Sequence, residues 1–222
     1  SHAIANFQAA ADYLKTGRKS SDFYGMVFQD SDVAKWLEAV AYSLILFPDV
    51  KLEERADEII TLIGNAQEAD GYLNTYFTLN QDKAHFSNLH EAHELYCAGH
   101  MMEAAVAYYE STGKRSLLEI MLRMTDCIYQ HFIVDKAPGY PGHPEVELAL
   151  MRMYHATGNE KCLTLATHFI NVRGVDPYFY EKEHQKLNWH VWSDDASDQY
   201  YSQFFAPVRE QEQAVGHAVR AV

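Results

Sequence analysis

The sequence lacks long apolar runs and lacks an excess of positive charge. No hydrophobic stretch approaches the roughly 20 residues that span a bilayer, and the N-terminal residues carry no signal-peptide core. The 18 lysines and arginines are outnumbered by 31 acidic residues, so the net charge is −13. Such a charge repels phosphate backbones and anionic lipids. We therefore expect a cytoplasmic protein without nucleic-acid or membrane partners.

Cysteine is also scarce. Cys97, Cys127 and Cys162 each lie in an amphipathic helical pattern with no second cysteine nearby in the sequence. Isolated cysteines of this kind are interpreted as buried thiols in a reducing compartment rather than as disulfides or metal ligands. Nucleotide-binding glycine loops and a G-x-S-x-G nucleophile motif are missing too.

Helical periodicity, in contrast, runs through almost the whole chain. With 48% hydrophobic residues, the 222-residue chain can bury the core of one large domain or two small ones. The pattern predicts about eight helices, two long loops and no strand. The predicted helices are 3–15 before Gly17, one capped by Ser31 or Asp32 and ending before Pro48, 51–68, one starting near Leu89, 115–133, 143–157, 160–173 and 209–222; the predicted loops are 72–87 and 175–208.

An internal repeat supports an all-α fold. Tyr109 aligns with Tyr154 and Gly113 with Gly158, and both pairs are 45 residues apart. Each copy predicts a long helix that ends in Thr-Gly, a short turn and a second amphipathic helix, because glycine is favoured just after a helix C-terminus. Repeated helical hairpins indicate either a toroid closed around a central pocket or an open solenoid.

The stretch NLHEAHELYCAGHMMEAA concentrates polar side chains in a predicted helix. If the helix begins near Leu89, His93, Cys97 and His100 share one face, as the ligands of a transition metal would. A structural zinc site needs a fourth ligand, however, and none is nearby. His90 and His93 are only three apart, so the zinc-protease motif is not matched. The favoured interpretation of His100 is a buried, hydrogen-bonded histidine.

Three histidines lie at the N-terminal end of a predicted helix or next to a glycine. They are His93, His143 in GYPGHPE, with Pro144 at the first helical position, and His217 in VGHAVRA. A pocket lined by histidines suits a neutral, polyhydroxylated ligand, although each histidine taken alone has a structural explanation. The aromatic-rich loop 175–208 is open to two interpretations, a sugar-binding rim or a loop packed by its own rings.

Acidic residues are too numerous for the sequence to select a catalytic pair. A glycosidase pair is recognised by the distance between its carboxyl groups, which the sequence does not give. The candidates are Asp30, Asp32, Glu91, Glu94, Glu145 and Glu147.

Several segments together resemble one family, the β-L-arabinofuranosidases of glycoside hydrolase family 127. The segments are FYGMVFQDSDVAKWLEAVAYSL, DGYLNTYF, HELYCAGHMMEAAVAYYESTGK, GYPGHPEVELALMRMYHATGN and APVREQEQAVGHAVRAV. The resemblance implies an (α/α)6 barrel followed by β-sandwich domains, and retaining hydrolysis of terminal β-L-arabinofuranosides. It also implies a zinc-bound cysteine thiolate as nucleophile and a glutamate as acid/base.

The zinc ligands and nucleophile of the family lie in a Glu-x-Cys segment and a Cys-Cys pair that residues 1–222 do not contain. We therefore expect this chain to be an incomplete (α/α)6 toroid, the N-terminal part of the barrel, without the remaining helices and β-sandwich domains. It should supply substrate-binding His93, His143 and His217 but no catalytic residue and no metal ligand. The resemblance also covers Asp30, Asp32 and Trp36, for which helix capping and core packing are expected.

On this hypothesis the intact protein is a glycosidase, and the chain alone does not hydrolyse an arabinofuranoside. Apolar helix faces exposed by an incomplete toroid would favour a homo-oligomer. Two alternatives remain. One is a non-catalytic carbohydrate-binding or scaffold helical domain, and the other is a different (α/α)6 sugar enzyme, such as an unsaturated-uronyl hydrolase or epimerase that uses carboxylates.

Overall fold

A computed structural model describes residues 1–192 and 206–210, and every regular element in these ranges is helical. This confirms the all-α class. A π-helical turn covers Gln130–Val134, and a short 3-10 helix covers Val208–Glu210. The α-helices are α1 (His2–Thr16), α2 (Asp30–Leu46), α3 (Val50–Asn65), α4 (Thr75–Leu79), α5 (Glu94–Thr112), α6 (Ser116–Tyr129), α7 (Val146–Thr157), α8 (Glu160–Val172) and α9 (Phe179–Lys186).

The repeat found in the sequence forms two helical hairpins, α5 with α6 and α7 with α8. Gly113 and Gly158 both adopt the left-handed conformation, with φ of 74° and 70°. Their N–H groups donate to the carbonyls of Tyr109 and Tyr154, at 2.8 and 2.7 Å. Glycine is favoured there because it takes positive φ without a steric penalty. Hairpins of this kind are the repeating unit expected of an (α/α)6 barrel.

A third copy of the same helix ending closes α1. Gly17 has a φ of 70°, and its N–H donates to the Tyr13 carbonyl at 2.7 Å. The side chain of Thr16 donates to a carbonyl one turn earlier, as the threonines of the two later copies do. The motif Tyr-x-x-Thr-Gly therefore ends three helices, and two of these endings belong to the internal repeat found in the sequence.

Helix α5 lies at the centre of the structure. It packs against α2, α6 and α7, and nearly every residue from its start to Tyr108 is buried. A helix that is buried on all sides has no polar stripe, which explains its weak amphipathic pattern. The described helices include none that is long and apolar enough to cross a membrane.

The predicted start of α2 is wrong. The helix begins at Asp30, and neither Ser31 nor Asp32 makes a capping hydrogen bond. Asp30 is buried, and its carboxylate accepts hydrogen bonds from the backbone N–H and the hydroxyl of Thr75, at 2.7 and 2.5 Å. Its role is to join α2 to α4. Trp36 is 37% exposed, so the expected core packing of that residue is also wrong.

Two further helices start later than the sequence indicates. The helix predicted from near Leu89 begins at Glu94, because His93 takes a φ of 58° that stops helical geometry. The helix predicted from His143 begins at Val146, so Pro144 precedes it. The residues before each of these helices therefore form an irregular segment. Helical spacing does not predict which of their side chains share a face.

Each of the two predicted loops contains a short helix. Helix α4 occupies part of 72–87, and α9 occupies part of 175–208. Both were missed because they have only five and eight residues, which is too short for an apolar stripe to repeat. The helix predicted over 209–222 lies almost entirely outside the described residues.

Candidate functional site

The structure brings together two of the three histidines that the sequence singled out. His93 is the N-cap of α5, and His143 lies in the segment before α7. Their ring centroids are 5.7 Å apart, and both side chains are half-buried. The ring of Tyr96 contacts both, with centroids 5.4 Å from His93 and 4.4 Å from His143. His217 lies outside the described residues, so its place at this site stays a prediction.

His93 is held in a conformation that few non-glycine residues adopt. Its Nδ1 lies 2.5 Å from the carbonyl oxygen of Glu91, and its ring lies 5.4 Å from that of Phe28. A left-handed conformation costs on the order of 1–2 kcal/mol for a residue with a Cβ. Such a conformation persists only where the surrounding contacts fix it, and it is concentrated at functional sites.

A lysine lies beside the two histidines, in a protein whose net charge is −13. Lys35 Nζ donates to the Tyr96 hydroxyl at 3.0 Å and to Ser31 Oγ at 3.1 Å. The ammonium also lies 5.2 Å from the centre of the Tyr96 ring, within cation–π range. These contacts orient Tyr96 between His93 and His143.

The base of the site is formed where α5 meets the segment before α7. His100 is buried, with its Nδ1 3.4 Å from Glu145 Oε1 and its ring edge-on to Tyr96 at 4.4 Å. This confirms His100 as a buried, paired histidine. Gly99 permits the close approach, because a Cβ there would lie 2.9 Å from Glu145 Cγ and from Val146 N.

The backbone of residues 86–93, here called the 86–93 segment, is anchored at one end by Glu94. The buried carboxylate of Glu94 accepts from the hydroxyl of Tyr72 at 2.5 Å and from the N–H of Phe86 at 2.9 Å. Burial raises the pKa of Glu94 to about 8, although these two hydrogen bonds act in the opposite direction. Glu94 is therefore a structural carboxyl group at the start of α5.

Helix α9 anchors the middle of the 86–93 segment. The two carboxylate oxygens of Glu183 accept from the N–H groups of Leu89 and His90, each at 3.0 Å. The ring of Tyr180 stacks on His90, with centroids 4.8 Å apart. Burial raises the pKa of Glu183 to about 7. No sequence pattern predicts this contact, because residues 90 and 183 are far apart in the chain.

Other acidic candidates have structural partners. Glu147 Oε1 lies 2.7 Å from Nη2 of the fully buried Arg173. Burial raises the pKa of Asp30 to about 6, and its oxygens are bonded to Thr75. A buried ion pair and a buried interhelix hydrogen bond favour a packing role for Glu147 and Asp30.

The cysteines do not fit the thiolate zinc site that the family resemblance implies. Cys97, Cys127 and Cys162 are free thiols on three different helices. Burial raises the pKa of Cys127 to about 12 and of Cys162 to about 11, and it raises that of Cys97 well above its usual range. A thiol that resists deprotonation is a poor nucleophile and a poor metal ligand.

The grouping of His93, Cys97 and His100 as metal ligands is also not found. Within residues 1–192 and 206–210, the group of three side chains with metal-ligand spacing is Glu91, His184 and His190. Glu91 is among the acidic candidates taken from the sequence, whereas the two histidines lie in the segment predicted as a loop and were not predicted.

Comparison with known proteins gives a consistent result. Residues 1–222 match the family model described as Beta-L-arabinofuranosidase, GH127 catalytic domain. A curated non-reducing end beta-L-arabinofuranosidase from Bifidobacterium longum is 43% identical over 228 residues, which cover 99% of this chain and 34% of that protein.

Solved structures agree. The GH127 beta-L-arabinofuranosidase Ara127N from Geobacillus stearothermophilus T6 is 51% identical, with a TM-score of 0.88. The match covers 99% of this chain and 34% of that protein. The GH127 beta-arabinofuranosidase BT3674 is 35% identical, with a TM-score of 0.78, and the match covers 99% of this chain and 32% of that protein. The chain spans about a third of the length of these relatives. It belongs to the GH127 beta-L-arabinofuranosidase catalytic-domain family.

Proposed function

We propose that this chain forms the substrate-binding N-terminal part of the catalytic barrel of a retaining glycosidase that acts on terminal β-L-arabinofuranosides. The observation that carries the proposal is the convergence of His93 and His143, with ring centroids 5.7 Å apart and Tyr96 in contact with both. In this proposal His217 completes the set of sugar-binding histidines.

The chemistry of the site suits a neutral sugar. Imidazole nitrogens donate to or accept from hydroxyl groups, whichever the ligand presents. The rings of Phe28 and Tyr96 provide apolar faces beside those nitrogens, and the net charge of −13 does not oppose an uncharged ligand. His93 and His143 are half-buried, so part of each ring is accessible to a ligand.

In this proposal the catalytic groups come from outside residues 1–222. The thiolate nucleophile, the acid/base glutamate, the zinc ligands, the rest of the barrel and the β-sandwich domains all belong to that remainder. Zinc would hold the nucleophilic cysteine in its ionised form. The residues described here would bind and orient the sugar.

The test is sugar binding by the 222-residue chain, measured by calorimetry and ligand-observed NMR with methyl β-L-arabinofuranoside. We expect binding that is reduced at least tenfold in the double variant His93→Ala/His143→Ala. The matched control is His155→Ala, because His155 is an exposed histidine on α7. Far-UV circular dichroism verifies that each variant is folded.

Two results would overturn the proposal. A folded chain that binds no arabinofuranoside would favour the scaffold alternative. Zinc-independent turnover of a sugar substrate that requires an Asp or Glu of this chain would favour a different (α/α)6 sugar enzyme. We expect no hydrolysis of an aryl β-L-arabinofuranoside by the chain alone, since no catalytic residue is assigned to it.

A further inference from the structure

Glu91, His184 and His190 form a polar cluster between the 86–93 segment and the end of α9. Each contributes one potential ligand atom, and the three atoms lie within 4.8 Å of one another. Glu91 Oε1 is 3.9 Å from His184 Nδ1, and Glu91 Oε2 is 3.9 Å from His190 Nδ1. These distances are too long for direct hydrogen bonds but leave space for one ion between the groups.

Glu91 is fixed in a way that leaves one oxygen available. Its Oε2 accepts from Val191 N at 2.8 Å and from Asn88 Nδ2 at 3.2 Å, and its own N–H donates to Asn88 Oδ1 at 2.9 Å. The residue is only 1% exposed. Within the part of the chain that the structure describes, Oε1 is buried and has no hydrogen-bond partner. A buried carboxylate oxygen without a partner is costly, and a bound cation removes that cost.

The two histidines are arranged face to face. Their ring centroids are 3.8 Å apart with an interplanar angle of 30°. Among the described residues, Nδ1 of each ring is buried and makes no hydrogen bond. At this spacing a single metal ion can bind a nitrogen lone pair from each ring. About 17% of each side chain is exposed, so both rings lie near the surface.

We infer that Glu91, His184 and His190 bind one divalent transition-metal ion of the zinc type. Two imidazole nitrogens and one carboxylate oxygen are a ligand set that Zn²⁺ accepts, with a fourth position left for water. Ligand atoms of a tetrahedral zinc site lie about 3.4 Å apart, so rotation of the side chains closes the present spacing. The site contains no cysteine and uses none of the thiolate chemistry that the family resemblance implies.

Binding of an ion here would stabilise the segment that carries His93. The carbonyl oxygen of Glu91 is in contact with His93 Nδ1 at 2.5 Å. The side chain of Glu91 contacts Val191, 100 positions later in the chain. A metal that bridges Glu91 to His184 and His190 therefore joins α9 to the 86–93 segment. It stabilises the folded state by mass action, because the unfolded chain does not hold the three ligands together.

The test is metal binding by the 222-residue chain after removal of metals with a chelator. We expect one equivalent of Co²⁺, used as a spectroscopic probe for Zn²⁺, to produce the visible absorption of a site with fewer than six ligands. Competition with Zn²⁺ should remove that signal, and Zn²⁺ should raise the melting temperature. His155→Ala is the matched control and should bind as the wild type does.

Glu91→Gln is the decisive variant. The glutamine oxygen can keep the hydrogen bonds from Val191 and Asn88, while its amide nitrogen replaces the free oxygen and cannot bind a metal. We expect at least a tenfold loss of affinity, and complete loss in His184→Ala/His190→Ala. Absence of Co²⁺ and Zn²⁺ binding by the folded wild-type chain would refute the inference, as would unchanged affinity in Glu91→Gln. Neither result depends on whether the chain binds sugar.

Discussion

The hairpins α5–α8 and the 86–93 segment with α9 are built in opposite ways. In the hairpins, Gly113 and Gly158 end their helices through hydrogen bonds to carbonyls four residues earlier. In the 86–93 segment, the backbone is held by carboxylates from elsewhere, including Glu183 of α9. The hairpins are therefore specified locally, whereas the candidate site depends on long-range contacts between polar groups.

This difference bears on stability and on function. Local helix endings contribute small, independent increments to stability, because each satisfies its own backbone groups. A segment held by buried and half-buried carboxylates depends on every partner at once, since loss of one leaves unpaired polar groups. His93 lies in the second kind of region, so its position depends on contacts that the hairpins do not make.

The largest expected effect comes from Gly142, where two backbone segments touch. A Cβ at this position would lie 2.6 Å from His90 Cα, and the Gly142 N–H donates to the Leu89 carbonyl at 2.9 Å. We expect Gly142→Ala to lower the free energy of unfolding by about 3 kcal/mol or more, because backbone has to move. Urea denaturation measures the change.

Gly158→Ala is the matched control in a hairpin. A Cβ there meets no atom within 4 Å, so only the positive φ opposes alanine. We expect a loss of about 1 kcal/mol. Equal losses at Gly142 and Gly158 would contradict the distinction between the two regions.

A smaller effect is expected for Glu183. Glu183→Ala removes the acceptor of two N–H groups, those of Leu89 and His90, and should cost about 2 kcal/mol. Glu183→Gln keeps one acceptor oxygen and should cost about half as much. Gln185→Ala, at an exposed position of the same helix, is the control and should change stability little. Amide hydrogen exchange at Leu89 and His90 should accelerate in Glu183→Ala, and unchanged exchange would refute the role assigned to Glu183.

A further expected effect is a pH dependence of stability that arises from Glu94. Its pKa in the folded protein is about 8, above its ordinary value of 4.5, so the folded state keeps a proton that the unfolded state releases. Stability should therefore fall as the pH rises from about 4.5 to about 8. Asp30 and Glu183, with raised pKa values of about 6 and 7, add to the same fall over part of that range.

Glu94→Gln does not titrate and should flatten the fall in stability between pH 5 and pH 8. Glutamine can still accept from Tyr72 and Phe86, so the fold is kept. Thermal unfolding across this pH range measures the difference. Glu54→Gln, at an exposed position of α3, is the control and should follow the wild type. A variant whose pH profile matches that of the wild type would contradict the raised pKa of Glu94.

Sequence patterns identified the helices well and their boundaries less well. The endings at Gly17, Gly113 and Gly158 were predicted because glycine after Thr marks a helix C-terminus on its own. The start of α5 was misplaced by about five residues, because only tertiary contacts hold His93 at positive φ. Helix α9 was missed since it is short and polar.

The composition and the repeat by themselves determined an all-α protein of helical hairpins, and the combined motifs identified the family, because helix periodicity and helix endings are local properties of the chain. Tertiary structure alone decided that His93 and His143 meet, that Glu183 holds the backbone before His93, and that Glu91 lies beside His184 and His190. These pairs are separated by about 50 to 100 residues, and their contacts follow from packing, which no local pattern encodes.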